Sequence, residues 1–359
     1  MGEYLLEVQG LKTYFKTKAG YVRSVDGVSF GVRPGEKVAI VGESGCGKSV
    51  TALSIMRLIE QPPGEYIDGS ILFDGQNILD LPERAMRKIR GGKIGMIFQD
   101  PMTCLNPTMT VAQQIAEGLQ IHLKLSRGEA HRRAISLLEQ VGIPDAAKRA
   151  NSYPHQFSGG MRQRVMIAIS LACNPKLLIA DEPTTALDVT VQAQILELIS
   201  GVCQDFGTAV ILITHDLGVV AGMTDRVVVM YAGKVVETAP TDELFANPRH
   251  PYTLGLMASI PRLDEARTSD LKTIEGAPPN LIQPPTGCPF MPRCVFARNI
   301  CRTMPPLEAV AGQSTHVKAC WVDVTDPQTR EQAERRRLAR MELKQGIIKE
   351  AALQTAEEK

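Results

Sequence analysis

With 359 residues, 44% of them apolar and 22% charged, the chain is long enough for one large α/β domain plus an appendage and has the balance of a soluble globular protein. Forty basic side chains against thirty-nine acidic ones leave a formal charge of +1, which offers no long-range field to a nucleic acid and argues against one as partner. No run approaches the roughly 18 apolar residues that a membrane span needs, and Met1–Leu6 lacks the basic start and apolar core of a signal peptide, so a cytoplasmic chain with eight reduced cysteines is expected.

The first elements alternate apolar and polar residues. Leu5–Val8 and Val25–Val32 read as antiparallel strands joined by the polar turn Lys16–Gly20. Phe15, next to Tyr14 at the edge of that turn, is an aromatic able to stack on an adenine ring or to pack in the core. Pro34-Gly35 turns the chain into the apolar strand Lys37–Val41. Directly after it, Gly42-Glu43-Ser44-Gly45-Cys46-Gly47-Lys48-Ser49 fits the phosphate-loop pattern G-x-x-x-x-G-K-[ST], and a helix follows from Val50 to about Ile59. Glycines let this backbone wrap an anion, successive N–H groups point at phosphates, and the helix start adds the positive end of its dipole. Lys48 then reaches the β and γ phosphates, and the Ser49 hydroxyl suits Mg²⁺, an ion that favours oxygen ligands.

Gln61-Pro-Pro-Gly64 breaks the chain, and Gly69–Gly75 reads as a strand closed by an Asp-Gly turn. A further strand, Lys93–Gln99, ends with Gln99 at the start of the loop Asp100–Pro107. From about 100 to 170 the spacing becomes helical, which predicts a helical subdomain. Near its end Ser158 is a good N-cap, and Gly159 and Gly160 leave N–H groups open to an anion. The apolar run Lys176–Asp181 carries a carboxylate to the C-terminal edge of a parallel sheet, where ligands bind, and Glu182 follows at once. One carboxylate can hold Mg²⁺ while its neighbour orients or deprotonates water. Another strand, Ala209–Thr214, delivers His215 to the same edge.

Taken together these residues resemble the ATP-binding subunits of ABC transporters, over roughly residues 5 to 240. Beside the phosphate loop, Gln99 matches the Q-loop, Phe157-Ser-Gly-Gly-Met161 the signature, Leu177–Asp181 the Walker B strand, Ala186-Leu-Asp188 the D-loop and His215 the switch histidine. Phe157 stands where Leu is usual. The resemblance implies a P-loop NTPase fold with an antiparallel β subdomain and a helical subdomain. It also implies ATP hydrolysis through Glu182, His215 and Gln99, with Ser49, Gln99 and Asp181 around Mg²⁺ and Phe15, Gly42 to Val50 and Ser158 to Gly160 around ATP. The expected assembly is a head-to-tail dimer with a second ATPase subunit, either a copy or a paralogue. Each ATP would then lie between the Lys48 loop and the partner subunit's Ser158, Gly159 and Gly160. Two membrane-spanning permease subunits and an extracytoplasmic substrate-binding protein complete it at the cytoplasmic face of the inner membrane. Tyr231–Glu237, Pro248–Thr253 and Asp100–Pro107 resemble the oligopeptide/dipeptide importer group, which also has members for nickel, opines and glycosides. A soluble ABC ATPase acting on nucleic acid is the rival, but one set of motifs without a long insertion disfavours it.

The stretch from 241 to 324 is Pro-rich and holds Cys288, Cys294, Cys301 and Cys320. That spacing reads as a four-thiolate site for Zn²⁺ or an iron–sulfur cluster, with four packing cysteines as the other reading. Resemblance to the peptide-importer ATPases implies a [4Fe–4S] cluster and ranks it above zinc. Residues 325 to 359, with eight basic and seven acidic side chains, read as a solvated, partly helical tail.

Overall fold

The computed structural model describes residues 3–185, 188–259 and 274–339, and its contacts divide the chain into two units, Met1–Val235 and Val236–Lys359.

In the first unit β1 (Leu6–Thr17) and β2 (Gly20–Val32) pair antiparallel from Leu6↔Val32 to Thr17↔Gly20. β4 (Gly64–Phe73) adds to the other side of β1, and the short β5 (Gln76–Asn77) closes the sheet in the order β2-β1-β4-β5. The Asp-Gly turn expected after the strand is present: Asp74 has φ 54° and Gly75 φ 79°, the doubly positive pair that matches hairpin twist.

The second sheet runs β9 (Arg226–Tyr231), β3 (Lys37–Val41), β8 (Ala209–Ile213), β7 (Leu177–Asp181) and β6 (Ile94–Ile97), all parallel. Its strands are continuous apolar runs because both faces are covered. Val38, Ile40, Leu177, Ile179, Ile211 and Ile213 point into a core shared with the antiparallel strands. Leu178, Ala180, Val210 and Leu212, one residue out of phase, point into a core shared with helices. Parallel pairing aligns the C-terminal ends, with Asp181 opposite Ile213.

Helix α1 (Lys48–Ile55) starts at the phosphate loop but stops short of Ile59, which corrects the sequence reading. Arg57 turns left-handed (φ 49°), and the Arg90 guanidinium, just beyond α2 (Glu83–Ile89), bonds the Met56 and Arg57 carbonyls at 2.7 and 2.9 Å. A cap from over thirty residues away ends this helix; its own sequence does not.

The predicted helical stretch holds α3 (Pro101–Cys104), α4 (Val111–Leu123), α5 (Arg127–Gln140), α6 (Ala146–Arg149) and α7 (Gly159–Leu171). Reciprocal capping boxes, Thr110 with Gln113 and Ser126 with Glu129, fix the starts of α4 and α5. α8 (Val189–Phe206) and α9 (Leu217–Met223) follow β7 and β8.

The second unit takes over within β10 (Lys234–Pro240), followed by α10 (Thr241–Ala246) and α11 (Pro251–Ala258). β12 (Gln313–Lys318) pairs antiparallel with β10 and with β11 (Glu308–Val310). At its centre the fully buried Glu237 carboxylate accepts from the backbone N–H of Arg249 (2.5 Å) and His250 (3.0 Å) and lies 2.7 Å from His316 Nε2. Both carboxyl oxygens, buried this deep, thereby have hydrogen-bond partners. Burial pushes His250 down to about 4, so its ring is neutral at pH 7 and Nδ1 accepts from the Tyr252 N–H.

The described part of the tail is helical and mostly exposed. Residues 327–339 are helical with Thr329 and Ala333 buried, and Arg336 donates to the Ala297 carbonyl at 2.7 Å. Its first half is therefore packed on the segment between Cys294 and Cys301, while 340–359 lie outside the described residues.

Candidate active site

The phosphate loop leaves β3 in a conformation that only glycine tolerates. At Gly42 (φ 151°) a Cβ would stand 2.2 Å from the Met230 carbonyl oxygen, and at Gly47 (φ 104°) 2.2 Å from that of Ser24. Neither backbone neighbour can yield, so both positions are fixed by close approach. Gly47 is the N-cap of α1 and has no side chain with which to occupy the helix's first N–H groups, which suits an anion. The buried Cys46 thiol tucks under Gly42, and its N–H turns inward to the Glu43 carbonyl at 3.3 Å.

Lys48, only 5% exposed, folds its ammonium over the same loop, donating to the carbonyls of Gly42 (2.8 Å) and Glu43 (3.0 Å). Ser49 donates its hydroxyl to Asp181 Oδ1 at 3.0 Å, which joins the loop to the end of β7. Burial raises the Asp181 pKa, the Glu182 charge adds to the rise, and the Ser49 bond and Lys48 charge oppose it without cancelling it. A cation beside Asp181 favours the ionised form and reverses that balance.

Glu182 follows in the left-handed region (φ 46°), a conformation that costs about 1–2 kcal/mol outside glycine and persists where surroundings over-determine it. Its N–H is held by the Ile213 carbonyl at 2.9 Å. Its Oε2 accepts from Gln99 Nε2 and Thr185 Oγ1, each at 3.0 Å, and Oε1 lies 3.6 Å from His215 Nδ1. Gln99 thus meets Glu182 through its amide N–H and not the Ser49–Asp181 pair. Thr185 was missed by sequence reasoning; its signal was a hydroxyl three residues after the carboxylate. Asp216, next to the exposed His215, is structural: its Oδ1 caps α9 through the N–H groups of Gly218 and Val219.

Other predicted residues lie elsewhere in the unit. Ser158 caps α7, its Oγ accepting from the Met161 N–H at 3.4 Å, with Gly159 as first helical residue and Gly160 second. Phe15 is half-buried against Gly64, whereas the Tyr14 hydroxyl is committed to Asp26 at 2.7 Å, which leaves Phe15 as the stacking candidate of the two. Val50 is half-buried in the first turn of α1. Asp188 caps α8 through the Val191 N–H at 3.0 Å, while Ala186 and Leu187 of the same motif fall outside the described residues.

In the second unit, burial and then the neighbouring thiols Cys320, Cys288 and Cys301 push Cys294 up to about 12, and burial pushes Cys320 to about 11. Backbone N–H groups face three of the sulfurs: Phe290 and Met291 face Cys288, Phe296 faces Cys294 and Val322 faces Cys320. Burial thus keeps these thiols in the protonated form, and only a bound cation would offset the cost of ionising them. Among the described residues, however, no three Cys, His, Asp or Glu side chains stand close enough to share one ion.

Comparison with known proteins bears on both units. The ABC transporter family matches residues 25–185, and the oligopeptide/dipeptide transporter C-terminal region matches residues 236–301. The chain is 54% identical over 320 residues to a probable peptide ABC transporter ATP-binding protein of Sinorhizobium fredii, covering 89% of this chain and 95% of that one. It is 55% identical over 319 residues to the oligopeptide transport ATP-binding protein OppD of Bacillus subtilis, covering 89% and 88%. The dipeptide transport ATP-binding protein DppD of the same organism is 52% identical over 320 residues, covering 89% and 95%. Among solved structures, a dimeric ATP-binding cassette in a post-hydrolysis state with ADP and phosphate superposes with a TM-score of 0.60 at 29% identity, covering 66% of this chain and 98% of that chain.

Proposed function

The chain belongs to the ATP-hydrolysing subunits of ABC transporters, in their oligopeptide/dipeptide group, and we propose that it powers the import of peptides. The observation that carries the ATPase chemistry is the Glu182 carboxylate, held by Gln99 and Thr185 with His215 Nδ1 3.6 Å away, beside the Ser49–Asp181 pair at the mouth of the parallel sheet. The peptide reading is supported by peptide-transport relatives that match 89% of the chain, with the second unit included.

In the reaction proposed, Lys48 and the loop N–H groups bind the β and γ phosphates, and Phe15 stacks on the adenine. Ser49 and Asp181 would hold Mg²⁺, which neutralises phosphate charge when bound, and Gln99, whose Nε2 serves Glu182 in this structure, would offer its amide oxygen to the same ion. Glu182 takes the proton of the attacking water. His215, exposed at the same edge, orients Glu182 and meets the terminal phosphate. Positioning and charge stabilisation do most of this work, because the transferring phosphoryl group needs little covalent help. Two such subunits would meet head to tail, each ATP lying between the Lys48 loop and the partner subunit's Ser158, Gly159 and Gly160, in line with the dimeric state of the solved cassette. Among the described residues no helix is long and apolar enough to cross a membrane. As in the ABC importer family to which the chain belongs, separate permease subunits would form the path for substrate. An extracytoplasmic binding protein would deliver the substrate, and the ATPases would sit at the cytoplasmic face of the inner membrane. Co-purified with its permeases in vesicles, the complex should hydrolyse ATP several-fold faster with peptide-loaded binding protein and accumulate labelled peptide. Stimulation by nickel, an opine or a glycoside with none by peptides overturns the peptide assignment.

Cys288, Cys294, Cys301 and Cys320 are assigned to one [4Fe–4S] cluster, with Zn²⁺ as runner-up, on the strength of four thiols within one another's electrostatic reach. Coordination at this site would need the sulfurs to draw closer than they stand. Anaerobic purification should give about four irons per chain, and Cys294→Ser should lose them while ATP binding at the first unit is kept. About one zinc per chain favours the runner-up, and neither metal removes the site.

A further inference from the structure

We infer that Gln163 is a positioning residue that ties the signature helix to the backbone of the catalytic carboxylate. Gln163 lies on α7, five residues after the Ser158 N-cap, and is 2% exposed. A polar amide at such depth demands a partner. Its Nε2 donates to the Pro183 carbonyl at 2.5 Å, a buried bond that spans twenty residues of sequence.

Pro183 immediately follows Glu182, whose left-handed backbone is the strained point of the site. The segment's other tethers lie on either side of that carbonyl. The Glu182 N–H is held by Ile213, and the Thr185 N–H returns to the Glu182 carbonyl at 3.2 Å. Proline has no N–H of its own to give the sheet. Gln163 therefore supplies the fixed point on the far side of Glu182, and without it the Pro183 carbonyl is buried without a donor. The side-chain bonds from Gln99 and Thr185 orient the carboxylate, but they assume a backbone already in place.

A second consequence rests on the head-to-tail arrangement proposed above. There, Ser158 to Gly160 of one chain face the nucleotide bound by its partner, while Glu182 of that same chain serves its own nucleotide. Gln163 joins these two loci inside a single chain, so a shift of α7 on engaging one nucleotide is felt at the carboxylate acting on the other. That makes it a route by which the two ATP sites fire together.

The test uses the full chain in its complex with the permeases and compares Gln163→Met, which keeps length and apolar volume without a donor, with Gln163→Glu, which keeps shape but sets a carboxylate against a carbonyl. Both should lower kcat for ATP by about tenfold or more, leave KM within about twofold and bring the Hill coefficient for ATP toward one. The melting temperature without nucleotide controls for general damage, and Gln163→Glu stands in if Gln163→Met does not assemble. A kcat within about twofold of the parent, or equal losses in kcat and KM accompanied by a lower melting temperature, overturns the role. Glu182→Gln in parallel separates the two readings: if it too retains turnover, the ATPase assignment has failed, and if it alone is inactive, only the Gln163 inference has.

Discussion

Glu182→Gln should keep ATP binding and lose turnover by about a hundredfold or more, the range a general base contributes. The substitution is close to silent for the fold. Oε2 of Glu182 receives two donors, from Gln99 and Thr185, and the carbonyl oxygen of a glutamine can receive both. Its amide NH₂ then takes the place of Oε1, near His215 Nδ1 at 3.6 Å, where a neutral imidazole can accept. Backbone strain at φ 46° is the same for either side chain. What disappears is the basic oxygen that takes the proton from water, so ATP should bind with near-normal affinity and remain unhydrolysed. The measurement is steady-state phosphate release in the assembled transporter, alongside nucleotide binding and size-exclusion of the ATP-loaded subunit. A persistent ATP-bound dimer is the expected result, and parent-level phosphate release would remove Glu182 from the reaction.

The residues proposed to bind phosphate were legible because that chemistry needs contiguous sequence. Gly42 to Ser49 must turn within eight residues from a strand to a helix start, and only closely spaced glycines clear Met230 and Ser24. Asp181 and Glu182 could be read from an apolar run ending in acid, since parallel strands present their C-terminal ends together. What escaped depends on partners distant in sequence. α1 ends where Arg90 caps it, Gln163 meets Pro183 across a helix and a strand, and Arg336 reaches Ala297 from a tail whose composition alone reads as solvated. Thr185 sat within reach of inspection, but a hydroxyl three residues from a carboxylate is common, and only the left-handed turn at Glu182 brings the two to 3.0 Å.

Lys48→Ala acts one step earlier and should weaken ATP binding itself, by about ten- to a hundredfold. The ammonium is nearly buried, and the Gly42 and Glu43 carbonyls hold it over the loop, so its charge is aimed before the ligand arrives. A charge-assisted hydrogen bond is worth ~1.5–3 kcal/mol, and each 1.4 kcal/mol is a factor of ten in affinity. Preorganisation keeps that gain from being spent on ordering a long side chain. The two carbonyls left behind are open to water once the side chain is gone, so the loss should appear in nucleotide affinity more than in the stability of the fold. Titration with a fluorescent ATP analogue, with a melting curve of the free protein, separates these effects. Lys48→Arg sharpens the comparison: it keeps the charge but forces a planar, bulkier guanidinium into a loop closed by Cys46 and the Gly42 backbone, and it should recover little affinity. ATP affinity unchanged in Lys48→Ala, with a normal melting curve, would show that phosphate is bound elsewhere than in this loop.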